Sequence, residues 1–225
     1  MNPGTNARKI RRASVVILIL TAAFLTGAAP DDNAHTKDTQ VVRTLMEETI
    51  DKAIGILEDP ELKGEAHRDK RRAKLRSTLL AKADARRISL LTLGRQRSKF
   101  TESQIDEFSD VFSQLVFQSY ITNLERYTDE KVRILSVDIL PKSKSYVKTM
   151  IVTSDKEIPA DFSLFKNEDG KWKVYDVKVE GVSLVSNYRT QFTELLLKQT
   201  PDELIEVTVN HAKSRVAQAA RFSCC

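Results

Sequence analysis

The chain has 225 residues, with 36 Lys and Arg against 31 Asp and Glu, a formal net charge of +5, and only two cysteines. Those cysteines, Cys224 and Cys225, are adjacent at the C-terminus. Neighbouring Cα atoms stand about 3.8 Å apart, below the roughly 4.4–6.8 Å that an ordinary disulfide spans. A disulfide framework is therefore excluded, and the fold must rest on packing.

Arg8, Lys9, Arg11 and Arg12 form a basic head with no acidic residue before Asp31. Ala13 to Leu25 is apolar except for Ser14 and Thr21, and Thr26-Gly27-Ala28-Ala29 closes the run with small residues. A basic head, an apolar core and a small-residue exit are the parts of a secretory signal peptide. Residues 1–28 are assigned to it, with cleavage after Ala28, because a cut after Ala29 would leave Pro30 at the new N-terminus. The apolar run is short for a membrane-spanning helix, which needs roughly 17–25 residues. Four of the 36 basic residues leave with the signal, so the exported chain carries 32 against 31 and is nearly neutral. The high isoelectric point thus belongs largely to targeting. Export as a soluble protein is the expectation, and it excludes nucleic acid as a partner.

Residues 29–39 read as a disordered leader, since Asp31 to Asp38 is polar. From Gln40 the residues Val42, Met46, Ile50 and Ile54 recur at i+4, which predicts a helix as far as Asp59-Pro60. Residues 61–82 are dense in charge, with Leu75 and Leu79 facing inward. Ile88, Leu91 and Leu93 carry the apolar signal to Gly94. Thr101-Glu102-Ser103-Gln104 is a capping box, in which the Thr and Gln side chains satisfy free N–H groups at a helix start. Ile105, Phe108, Phe112 and Leu115 follow on one face, and Val111, Val116 and Tyr120 widen it.

The period then changes. Lys131–Leu140, Ser145–Thr153, Ile158–Phe165 and Lys171–Glu180 are rich in β-branched and aromatic residues and are separated by short polar turns, which predicts a four-stranded antiparallel meander. Gly181 ends the last strand. A helix with Val185, Tyr188, Phe192, Leu195 and Leu196 on one side follows, and Thr200-Pro201-Asp202-Glu203 opens another. The expected architecture is α+β: one domain over residues 40–219, with helices packed on a strongly twisted four-stranded antiparallel sheet whose concave apolar face encloses a cavity. Residues 220–225 are a tail.

Little in the chain points to chemistry. His35, His67 and His211 have no partners at metal-ligand spacing. Gly181-Val182-Ser183 lies between a strand and a helix as a hydrolase nucleophile would, with Asp202 and His211 downstream. The G-x-S-x-G pattern nevertheless fails at Val185, and Ser183 is accounted for as the N-cap of the helix that begins near Leu184. No catalytic residue, metal or cofactor is assigned. Lys63 to Lys99 holds thirteen basic residues against Glu65, Asp69 and Asp84. A solvated helix face is the default reading, and transient contact with an anionic membrane surface is the sharper one.

The stretch Trp172-Lys173-Val174-Tyr175-Asp176, then Glu180-Gly181-Val182-Ser183-Leu184, then Asn187-Tyr188-Arg189 with Phe192 behind it, resembles the MlaC family, also called toluene-tolerance proteins. Leu93-Gly94 matches a further pair of that family, although Arg95, Gln96 and Arg97 stand where aromatic residues commonly follow. The resemblance implies a periplasmic phospholipid carrier rather than an enzyme. Its implied partners are a phospholipid, an inner-membrane Mla ABC transporter complex and an outer-membrane Mla lipoprotein complex, in a pathway that maintains outer-membrane lipid asymmetry in Gram-negative bacteria. A hopanoid cargo, a lipid-modifying enzyme and a structural adaptor stay open as alternatives. Given an acyl-chain pocket, the expected lining is Leu135, Val137, Val147, Ile151, Phe162, Leu164, Trp172, Val174, Leu184, Val185, Tyr188 and Phe192. Asp176 and Arg189 are polar in this apolar neighbourhood. They are expected to satisfy one another or nearby backbone, because an unpaired buried charge costs several kcal/mol.

Overall fold

The structure, a computed structural model, describes residues 32–126 and 130–221. Residues 1–28, expected to be a signal peptide, and the two cysteines lie outside the described residues. In chain order the elements are α1 (Asp32–Glu58), α2 (Arg68–Leu80), α3 (Ala85–Leu93), α4 (Glu102–Glu125), β1 (Lys131–Leu140), β2 (Lys144–Val152), β3 (Glu157–Lys166), β4 (Trp172–Val179), β5 (Val182–Ser183), α5 (Leu184–Leu195) and α6 (Pro201–Arg221).

Two expectations are corrected here. The polar segment before Gln40 is not a disordered leader over its whole length, because α1 already runs from Asp32. The Thr39 hydroxyl donates to the His35 carbonyl, and Asp38 pairs with Lys166 at 2.8 Å, so tertiary contact holds a stretch that has no apolar periodicity. The sheet has five strands, in the order β1-β2-β3-β4-β5, all antiparallel. Glu180 and Gly181 both adopt positive φ, of 48° and 84°, and make a tight two-residue hairpin turn. That turn brings Val182 and Ser183 back onto Val179 and Lys178 as a short fifth strand.

The helix boundaries follow from their caps. Thr101 and Gln104 form the reciprocal capping box at the head of α4, and Thr200 and Glu203 do the same for α6. Asp84 accepts from the Arg87 N–H at the start of α3, and Ser183 accepts from the Ser186 N–H at the start of α5. Packing then divides the apolar residues into three groups. The N-terminal half of α1 lays Val42, Leu45 and Met46 on one face of the sheet, hereafter the inner face. Its C-terminal half sets Ala53, Ile56 and Leu57 against Leu75 of α2 and Phe117 and Ile121 of α4. The third group is a helical core built from α3 to α6 around Phe108, Phe112, Phe192 and Leu204. Helix α1 therefore bridges sheet and helices. Beyond β4, Lys82 and Asp84 exchange backbone hydrogen bonds with Val174, which ties the α2–α3 link to the sheet edge.

Candidate functional site

Strand alternation and register decide which side chains share the inner face. Val137 opposes Val147, which opposes Phe162, and Leu164 opposes Val174. These residues, with Trp172, Ile134 and Ile139, form one apolar cluster under Val42, Leu45 and Met46 of α1. The space that the sequence assigns to acyl chains is thus met by α1 side chains in this structure. The same face continues past the cluster through Val132, Ile151, Ile158, Val177 and Val179, which are half-buried or exposed. The apolar face thus extends past the part of α1 that packs on it.

The twelve expected lining residues do not all gather there. Val137, Val147, Phe162, Leu164, Trp172 and Val174 do, and Ile151 lies on the same face outside the cluster. Leu135 is 52% exposed. A bulge between Ile134 and Ser136 inserts it as an extra residue and turns it away from the core, an irregularity that period-2 alternation cannot foresee. Leu184, Tyr188 and Phe192 belong to the helical core, where Phe112 and Phe192 meet edge to face at 5.3 Å and Phe112 and Tyr188 at 4.9 Å. Burial pushes the Tyr188 phenol above its ordinary pKa. Val185 is buried at the first turn of α5.

Asp176 and Arg189 form no ion pair with each other among the described residues. A second irregularity, between Ser163 and Leu164, turns Asp176 to the outer face, opposite Ser163. There its carboxylate accepts the Ser183 hydroxyl at 2.6 Å and the Val185 N–H at 3.0 Å, so it holds the last long strand against the head of α5. One turn along α5, Arg189 donates from Nε to the Leu91 carbonyl at 2.7 Å. Its aliphatic stem lies on Gly94, whose φ of +55° and ψ of −124° suit glycine. A Cβ at Gly94 would stand 3.4 Å from Arg189 Cδ. Leu93-Gly94 and Asn187-Tyr188-Arg189, distant in sequence, are thus two halves of one joint. No local pattern in the sequence signals that coupling.

Part of the basic stretch is partnered. Arg71 and Arg72 both reach Glu125, at 2.9 and 2.6 Å, where little of any of the three side chains is exposed. Arg86 pairs with Glu102 and Asp106, the acidic residues that follow the stretch. The Arg87 guanidinium stacks 3.8 Å above the Phe165 ring. Charged side chains line two open surface clefts. One, of about 370 Å³, lies on α4 and α6 between Glu107, Asp202, Glu206 and Lys213. The other, of about 490 Å³, lies at the sheet turns between Asp84, Arg87, Lys142 and Glu168. Among the described residues no His, Cys, Asp and Glu cluster could hold a metal, and no helix is long and apolar enough to cross a membrane.

A sheet with one extended apolar face, partly covered by a helix that also packs on the helical layer, defines an α+β domain. The chain belongs to the MlaC family: the family model described as MlaC protein matches residues 47–208. It is similar to the intermembrane phospholipid transport system binding protein MlaC of Haemophilus influenzae, 24% identical over 197 residues, covering 85% of this chain and 88% of that one. Its fold is similar to the solved structure of a phospholipid-binding protein from Ralstonia solanacearum in complex with a phospholipid. The TM-score is 0.69 at 20% identity, over 77% of this chain and 97% of that chain.

Proposed function

We propose that this protein is a periplasmic phospholipid carrier, passing lipid between outer-membrane and inner-membrane Mla complexes and catalysing no reaction. The observation that carries this reading is the inner face of the sheet. Its apolar residues extend from Ile139 and Val147 under α1 to Ile151, Ile158 and Val179 in partial contact with water. Each methylene taken out of water is worth about 0.8 kcal/mol, so a two-chain lipid does not leave a bilayer without an apolar surface to receive it. Acyl chains on this face would replace the contacts of Val42, Leu45 and Met46, which makes loading an exchange of one apolar contact for another. The names of the relatives in Haemophilus and Ralstonia support phospholipid as the cargo, and the family name supports Mla complexes as the partners.

The role of Ser183 supports a binding protein over a hydrolase, because its hydroxyl is engaged as the cap of α5 and as a donor to Asp176. Native mass spectrometry of the protein released from its own periplasm tests the proposal. A bound mass matching a two-chain phospholipid is expected. A hopanoid mass, or protein free of lipid that also fails to take up phospholipid from vesicles, would overturn it.

A further inference from the structure

Two side chains on the inner face of the sheet carry buried hydrogen-bond donors that have no partner among the described residues: the Ser145 hydroxyl and the Trp172 indole N–H. Ser145 is 1% exposed and Trp172 4%. Two other polar residues on this face are satisfied: Thr149 donates to the Ala160 carbonyl, and Lys166, opposite Trp172 and 5.8 Å from its ring, pairs with Asp38. A buried donor without an acceptor is costly, and most such groups in folded proteins are paired. At both positions an apolar residue of similar size would avoid that cost.

The two donors share one end of the sheet. Ser145 is the second residue of β2, opposite Ile139 and Leu164, and Trp172 opens β4, so both stand beside the hairpin turns. Leu164 of β3 lies between their strands, and Trp172 belongs to the apolar cluster under α1. An indole N–H can only donate, and a hydroxyl without an acceptor is used most simply as a donor. A ligand suited to this end of the face must therefore bring oxygen acceptors to the two donors, beside the apolar cluster and the Lys166–Asp38 pair. The carbonyls of acyl esters, which sit where two hydrocarbon chains join a glycerol, have that character. A purely hydrocarbon ring system does not.

We propose that Ser145 and Trp172 anchor the acyl-ester carbonyl oxygens of a diacyl lipid, and so select ester-linked lipids over other apolar cargo. The inference rests on the carrier reading above and names the part of the lipid that is recognised. The test uses the mature full-length protein, stripped of lipid and reloaded from vesicles of phosphatidylethanolamine and phosphatidylglycerol. One set of vesicles has diacyl lipids, and the other has dialkyl ether lipids of the same chain length. The wild type is expected to retain the ester form roughly tenfold better, the weight of one hydrogen bond. Ser145→Ala and Trp172→Phe should each cut ester retention several-fold and reduce the preference for ester over ether lipid. Ser145→Ala should not lower the unfolding midpoint of the lipid-free protein, because it removes an unpartnered hydroxyl. Ester retention in Ser145→Ala carries the test alone if Trp172→Phe folds poorly. Equal retention of ester and ether lipids by the wild type, or unchanged ester retention in Ser145→Ala, would overturn this inference and leave the carrier reading standing. Failure to load either lipid would overturn both.

Discussion

Replacing Asp176 by alanine probes the joint between sheet and helix most directly. The carboxylate accepts the Ser183 hydroxyl at 2.6 Å and the Val185 N–H at 3.0 Å, and these two bonds link β4 to the first turn of α5. A hydrogen bond to a charged group contributes about 1.5–3 kcal/mol, and a carboxylate at a helix N-terminus adds a few tenths. The site is half-buried and the two bonds share one group, so their contributions do not simply add. Asp176→Ala is therefore expected to cost about 3 kcal/mol, whereas Asp176→Asn, which keeps the shape and one good acceptor, should cost about 1 kcal/mol by the same reckoning. Ser183→Ala alone should cost about 0.5–2 kcal/mol as a lost cap. The double variant should then lose clearly less than the sum, because removing Asp176 has already broken one of the bonds of Ser183. Urea unfolding followed by the fluorescence of Trp172, the sole tryptophan of the chain, measures all four proteins. A loss below about 0.5 kcal/mol for Asp176→Ala, or strictly additive single variants, would refute the role assigned to this carboxylate.

Gly94→Ala should cost about 1–3 kcal/mol, because it forces a side chain into a positive-φ conformation against the Arg189 stem; urea unfolding checks it, and an unchanged midpoint would remove the strain argument. Phe192→Ala empties part of the aromatic helical core and should cost about 3–5 kcal/mol, while the folded fraction keeps its co-purifying lipid; selective loss of lipid at unchanged stability would place Phe192 in the binding surface instead. The Tyr146 phenol, which donates to Asp161 at 2.7 Å, is pushed up to about 12 mainly by that bond. Folding therefore favours the protonated phenol, its contribution is complete below pH 10 and fades as pH rises through about 12, and a phenolate absorbance titration should lose its highest step in Tyr146→Phe.

Much of this architecture is legible along the chain because its causes are local. The i+4 recurrence of Val42 and Met46 marks α1, the reciprocal caps at Thr101 and Thr200 mark α4 and α6, and the alternation between polar turns marks β1 to β4. Each signal depends on residues within a few positions of one another, which is the range over which backbone dihedrals and capping hydrogen bonds act. Ser183 as the cap of α5 is of the same kind.

Tertiary structure alone decided the rest. A single bulge put Leu135 into solvent, since one inserted residue reverses the face of a strand while leaving its composition unchanged. The Asp38–Lys166 contact ties the N-terminal part of α1 to the sheet, and the Gly94–Arg189 joint brings together segments that no periodicity relates. The division of the expected lining between the sheet face and the helical core was equally hidden. Leu164 and Phe192 look alike in sequence, because both are apolar residues on the buried side of an element. The surface each one meets is set by how elements cross in three dimensions: α1 covers the first, and α4 with α5 encloses the second.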